Sequence, residues 1–177
     1  MHTHTDIHFM VDASLVTEVS DWLNSMIDDV DVEMEGCTVS VLATYSIFEI
    51  DQITDLIKDF FVKFGDVDLK VVGFIDSSES AGEYQDFYGE FVKGHGVLKY
   101  SDWYVYFYPE DYEDMNDDEL KGELSSDFCY QVNFDEAKRV IAEYKENPDM
   151  ERKIILHFGK YGGKLFDDAP LDHEWTI

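Results

Sequence analysis

Basic residues are scarce in this sequence: 13 Lys and Arg stand against 40 Asp and Glu, a formal net charge of −27. A chain so charged is repelled by phosphates, which argues against direct nucleic-acid binding. Anionic lipid surfaces repel it too. No apolar run approaches the ~18 residues a membrane helix needs. The start, MHTHTDIHFMVD, has neither a basic n-region nor an apolar h-region, so no secretory signal is expected and the protein is placed in the cytoplasm. There are only two cysteines, Cys37 and Cys129. They are far apart and lack metal-type spacing, which predicts reduced, buried thiols. Internal repeats and long linkers are absent as well.

What is present is a foldable core. Hydrophobic residues make up 45% of the chain and aromatics 15%, among them 13 Phe, 11 Tyr and 3 Trp. Disordered acidic tails lack this content because they cannot offset the entropy of ordering. The charge therefore belongs to a folded surface. A compact chain of this length has a radius of gyration near ~16 Å and a span of roughly 40 Å. About 40 Å of duplex DNA carries about 24 charges, so the two charge densities are of the same order. Self-repulsion at this level opposes compaction.

The pattern predicts one α+β domain over residues 1–177, with a mixed or mainly antiparallel sheet and about three helices. A sub-division into a βαββαβ-like half (1–76) and a strand-rich half with one helix (88–177) fits the same pattern. Residues 5–11 read as a strand, followed by a helix from about Asp12 or Ser14 to Asp28 with Leu15, Val16, Val19, Leu23, Met26 and Ile27 at helical spacing. Two strand-like pieces fill 30–44, divided at Gly36. Ser46 with Glu49 gives a capping box for a second helix, and Tyr45 with Ile50 a hydrophobic staple. Its apolar stripe is Ile53, Leu56, Ile57, Phe60, Phe61 and Phe64, and Gly65 closes it. A strand over 69–75 completes a split βαβ order with helices on one face.

Beyond it, 76–87 read as a polar connection, and the segment around Gly94 and Gly96 as a hairpin. Residues 102–108 read as a strand with Tyr104, Tyr106 and Tyr108 on its outer face. Residues 127–132 read as a further strand. Asn133 with Glu136 predicts a third capped helix, carrying Ala137, Val140, Ile141 and Tyr144 and stopped at Asn147–Pro148. A last strand at 153–158 leads to a turn at Gly162–Gly163.

The charge is unevenly placed. Residues 1–66 hold 14 acids and 2 bases, 67–125 hold 15 and 4, and 126–177 hold 11 and 7. On the second helix Asp51, Asp55 and Asp59 repeat at i, i+4, i+8, about 6 Å apart along the axis. Like charges at this spacing repel. Glu110, Asp111, Glu113, Asp114, Asp117, Asp118 and Glu119 form the densest cluster, read as an acidic loop or a short solvated helix. Tyr112 lies among them, and aromatics beside charge are what interfaces favour as anchors. These residues are the expected partner-binding set. The plain alternative for each is a solvated outer face.

Motifs for chemistry are missing. GKYGGKL (159–165) lacks the spacing and the Ser or Thr of a phosphate loop. Asp29, Asp31, Glu33 and Glu35 alternate like one face of a strand, without the glycine and the twelfth-position glutamate of an EF-hand. His2, His4 and His8 share strand parity but have no completing ligand. His95, His157 and His173 read as structural or exposed. No nucleophile, metal or cofactor is predicted, and an uncharacterised hydrolase would need a convergent pocket to be entertained.

The expectation is a non-catalytic acidic inhibitor. Its partner would be a basic protein, a nucleic-acid-binding enzyme or complex whose phosphate sites it occupies, in the manner of phage or plasmid anti-restriction and anti-CRISPR proteins. The alternatives are an immunity or antitoxin-like protein that neutralises a basic nuclease, or a salt-adapted domain of unrelated function. Lys outnumbers Arg 11 to 2 and the last third is spared acidity, which argues in part against salt adaptation. Self-association through the aromatic strands is left open.

Overall fold

A computed structural model describes residues 4–47, 49–77, 82–126, 132–150, 152–156 and 161–177. In chain order the elements are β1 (His4–Met10), a 3₁₀ turn (Ala13–Leu15), α1 (Val16–Met26), β2 (Val30–Glu35), β3 (Thr38–Thr44) and α2 (Ile50–Phe64). There follow β4 (Leu69–Asp76), β5 (Tyr84–Val92), β6 (His95–Tyr100) and β7 (Tyr104–Phe107). A second 3₁₀ turn (Pro109–Tyr112), α3 (Asp117–Ser126), α4 (Phe134–Glu146), β8 (Lys153–Leu156), β9 (Leu165–Phe166) and β10 (His173–Thr176) complete the chain. The protein is α+β, and it divides into two compact units, Met1–Ser101 with Pro170–Ile177, and Asp102–Ala169.

In the first unit the strands run in the order β2-β3-β1-β4-β5-β6-β10, each antiparallel to its neighbour. Its first four strands, with α1 after β1 and α2 after β3, form the split βαβ arrangement that the order of apolar segments predicts. β1 pairs with a strand on each side, β3 and β4, and buries alternate residues on one face only. Thr5, Ile7 and Phe9 are fully buried, while His4, Asp6, His8 and Met10 on the other face are half-buried. The strand register puts Val39, Val41 and Ala43 of β3 and Val71, Gly73 and Ile75 of β4 beside the buried set.

Both helices cover that face through aromatic rings. Phe60 of α2 meets Phe9 of β1 at 6.2 Å between centroids and Trp22 of α1 edge-on at 5.8 Å. Phe61 meets Phe91 of β5 at 5.5 Å. Such rings bury large areas and add orientation-specific energy. Thr5, polar and fully buried, is satisfied by donating its hydroxyl to the Ile47 carbonyl. At the far edge, β10 pairs with β6 so that His173 stands opposite Tyr100, their rings stacked 5.2 Å apart.

The second unit packs α3 and α4 with β7, β8 and β9, again antiparallel. Its core is Val105, Phe107, Leu120, Ala137, Val140, Ile141, Ile155 and Leu165. Asn133 caps α4, its side chain accepting from the Asp135 and Glu136 amides.

Several expectations are corrected. Residues 13–15 form a 3₁₀ turn, because the Asp12 carboxylate captures the amide and hydroxyl of Ser14. The capping box of α2 is Glu49 with Gln52. Ser46 lies four residues before the first helical residue, Ile50, and its hydroxyl donates to the Asp28 carbonyl, 18 residues away in sequence, at 2.5 Å. Tyr45 is consequently no staple: it is exposed, with a positive φ of 67°. β5 begins at Tyr84, inside the expected polar connection. Its Tyr84, Asp86 and Tyr88 sit on the half-buried face, so its polarity is the alternation of a strand. Tyr104 is buried rather than on a tyrosine-covered outer face. Cys37 is exposed, in the turn between β2 and β3. Glu136 turns to Arg139 and the Leu165 amide instead of back to the cap. The expected strand at 127–132, apart from Val132, lies outside the described residues, as do Cys129 and residues 157–160.

Two glycines test the packing in opposite directions. A Cβ on Gly73 would come within 1.9 Å of the Asp6 carbonyl oxygen of β1. Gly73→Ala is expected to destabilise by ~3 kcal/mol, the upper range for overpacking. Gly122, inside α3, has nothing within 4 Å, so Gly122→Ala should stabilise by ~0.5–1 kcal/mol. Denaturant midpoints of the two variants check both signs.

Candidate acidic interface

α2 carries the first predicted array. Its buried residues Ile53, Leu56, Ile57 and Phe60 fix the helix on the sheet, which leaves Asp51, Asp55 and Asp59 exposed on the opposite side. Asp55 is paired with Lys58 at 2.7 Å. Lys58 also lies 5.7 Å over the Trp175 ring. Asp51 and Asp59 have no cationic partner among the described residues. Val62, three residues beyond Asp59, is 86% exposed and places an apolar knob at the end of the same face.

The second array, in the other unit, sorts into structural and free carboxylates. Asn116 caps α3, accepting from the Asp118 and Glu119 amides at 3.0 and 3.1 Å, and Glu119 accepts from the Asn116 amide at 2.9 Å. This is a reciprocal capping box hidden in what reads as a run of charge. Asp117, Asp118 and Glu119 all lie in the first turn of α3, where the helix dipole favours anions. Asp117 also binds Lys138 at 2.9 Å. Burial, then the charges of Glu110 and Glu113, raise the Tyr144 pKa above the ordinary phenol value. Tyr112, the predicted anchor, stacks flat on Phe107 with centroids 4.8 Å apart and belongs to the edge of the core. Asp111, Asp114 and Asp118 remain exposed without side-chain ion pairs among the described residues.

A third array went unassigned in the sequence. On β2, Asp31, Glu33 and Glu35 are all exposed. Same-face residues of a strand repeat at about 6.8 Å. None of the three has a cationic partner among the described residues. The register runs from them across the helix-free face of the sheet, to Leu42 and Asp6, to Ser40 and His8, and to Thr38 and Met10. The alternation of 29–35 was visible in the sequence, but its place at the sheet margin depends on long-range pairing.

That face also holds a hydroxyl–imidazole–carboxylate sequence. Ser40 Oγ lies 2.8 Å from His8 Nδ1, and His8 Nε2 is 3.4 Å from Asp6 Oδ1. Acyl transfer needs more than this: converging N–H donors must hold the oxyanion. β1 and β3 lie inside the sheet, flanked on both sides by paired strands, so their amides are engaged in ladders. The arrangement orients side chains on a sheet surface. Among the described residues no three His, Cys, Asp or Glu side chains are grouped to hold a metal ion. No helix among them is long and apolar enough to cross a membrane.

Because Leu120 is the one buried residue of α3, that helix leans on its cap. Asn116→Ala should cost about 1 kcal/mol and speed hydrogen exchange at the Asp118 and Glu119 amides, measurable by NMR.

Compared with protein-family models, curated proteins and solved structures, the chain gives no significant match to any.

Proposed function

We propose that this protein is a non-catalytic inhibitor that binds a basic nucleic-acid-binding protein by presenting carboxylates where that protein expects phosphates. The observation that carries this reading is the α2 face. Three exposed carboxylates at a fixed helical spacing are held by an element whose other side is locked into an aromatic core, and among the described residues only Asp55 of the three is ion-paired, to Lys58. A loose acidic tail can attract cations, but it cannot hold charges in register with a phosphate-binding groove. The free carboxylates Asp111, Asp114 and Asp118 extend the same chemistry to the second unit. A net charge of −27 steers a basic partner over the Debye length, about 10 Å at 0.1 M salt.

The partners that fit are nucleases, restriction enzymes and CRISPR effectors, whose DNA channels are lined with Lys and Arg. The test is displacement of labelled duplex from a panel of such enzymes. The protein should displace DNA from at least one of them, less effectively as salt rises. Replacing Asp51, Asp55 and Asp59 together by Asn should weaken displacement about tenfold, from roughly 0.5 kcal/mol per exposed pair. Inhibition that leaves DNA bound would instead identify an immunity-type protein that docks away from the channel. Inhibition indifferent to salt would remove the phosphate-imitation account.

A further inference from the structure

β2 is the end of its sheet. β3 pairs with it on one side, and among the described residues no strand lies on the other. Which backbone groups face that free edge follows from one hydrogen bond. The Thr44 amide donates to the Asp29 carbonyl at 3.2 Å, one step beyond the Val30–Ala43 pair. Hydrogen-bonded and non-hydrogen-bonded pairs alternate along an antiparallel ladder. Asp31, Glu33 and Glu35 therefore turn their N–H and C=O groups toward β3. Those of Val30, Val32 and Met34 point outward, with no backbone partner among the described residues.

Side chains alternate in step. Asp31, Glu33 and Glu35 stand on the helix-free face, while Val30, Val32 and Met34 lie on the helix side with Met34 55% exposed. The edge thus offers a row of main-chain donors and acceptors flanked by carboxylates above and apolar surface below. We propose that β2 receives an extended segment of its partner as an added strand, with Lys or Arg alternating with apolar residues. In an antiparallel pairing the segment's apolar residues fall opposite Val30, Val32 and Met34 in hydrogen-bonded pairs. Its basic residues fall opposite Asp31, Glu33 and Glu35 in the non-hydrogen-bonded pairs, where Cα atoms approach to about 4.5 Å.

Charge decides the occupant. Two copies of β2 joined edge to edge would set acid against acid, and like charges directly opposite are destabilising. The same carboxylates that keep this edge from pairing with itself leave it open to a cationic strand. The inference takes from the proposed function only the sign of the partner's charge.

The probe is the peptide acetyl-(Lys-Val)₃-amide, followed by NMR on the full chain. Binding should shift the Val30, Val32 and Met34 amides. N-methylation of the valines should abolish binding, because those N–H groups bond to β2, and N-methylation of the lysines should leave it intact. The permuted peptide acetyl-Lys₃-Val₃-amide carries equal charge and should bind about tenfold more weakly or worse. Met34→Pro removes one outward N–H while leaving the β2–β3 ladder whole, and should weaken binding likewise. Equal binding of the permuted or N-methylvaline peptide, or no binding by the parent peptide, overturns the proposal. The peptide comparisons need no variant, so they decide even if Met34→Pro misfolds. DNA displacement without edge binding removes the edge alone; edge binding without DNA displacement removes the phosphate-imitation reading alone.

Discussion

Apolar burial on one side of each element is the constraint on which the acidic surface depends. Twenty-seven uncompensated charges push the chain apart, and what opposes them in the first unit is the aromatic packing around Phe60, which joins α1, α2 and β1. The period of burial also sets the geometry of the charge. A helix buried at Ile53, Leu56, Ile57 and Phe60 must present Asp51, Asp55 and Asp59 outward, and a strand that turns Val30 and Val32 inward must present Asp31 and Glu33 to the opposite face. Core and charge are one pattern read from two sides.

Carboxylates on this surface are not equivalent. Glu49, Glu119 and Asp12 are engaged in capping, and Glu136 is held by the Arg139 guanidinium, which keeps its pKa below the ordinary carboxylate range. Asp55 and Asp117 have lysine partners. The exposed acids without an ion pair among the described residues include those of α2, β2 and the approach to α3, and also Glu18 and Asp21 of α1. Density of charge in the sequence therefore does not separate the capping and ion-paired carboxylates of the 110–119 segment from its free ones.

Local patterns made much of the fold legible. The 3.6-residue stripe of α2, its closing Gly65 and the alternation of β1 are signals contained in one segment, and the split βαβ order follows from stringing such segments together. Failures came where a distant partner decided. Ser46–Glu49 and Glu49–Gln52 both satisfy capping spacing; the second is formed, and the Ser46 hydroxyl turns to the Asp28 carbonyl across the fold. β9 and β10 are two and four residues long, too short for any periodicity to register. The acidic faces could be placed on their elements, but an unpaired edge is a property of topology, so the significance of 29–35 was hidden.

The pairing of Tyr100 with His173 has a consequence for how the chain is built. The main path leaves the first unit just after Tyr100 and returns just before His173, at neighbouring positions of one antiparallel ladder. Residues 102–169 thus leave the first unit after Ser101 and return at Pro170, on either side of the ladder pair Tyr100–His173. None of the pairings among β2, β3, β1, β4, β5, β6 and β10 draws on residues 102–169. Of the three acidic arrays, those of α2 and β2 lie in the first unit and that of 110–119 in the inserted one, so the chain carries its free charge on both sides of that junction.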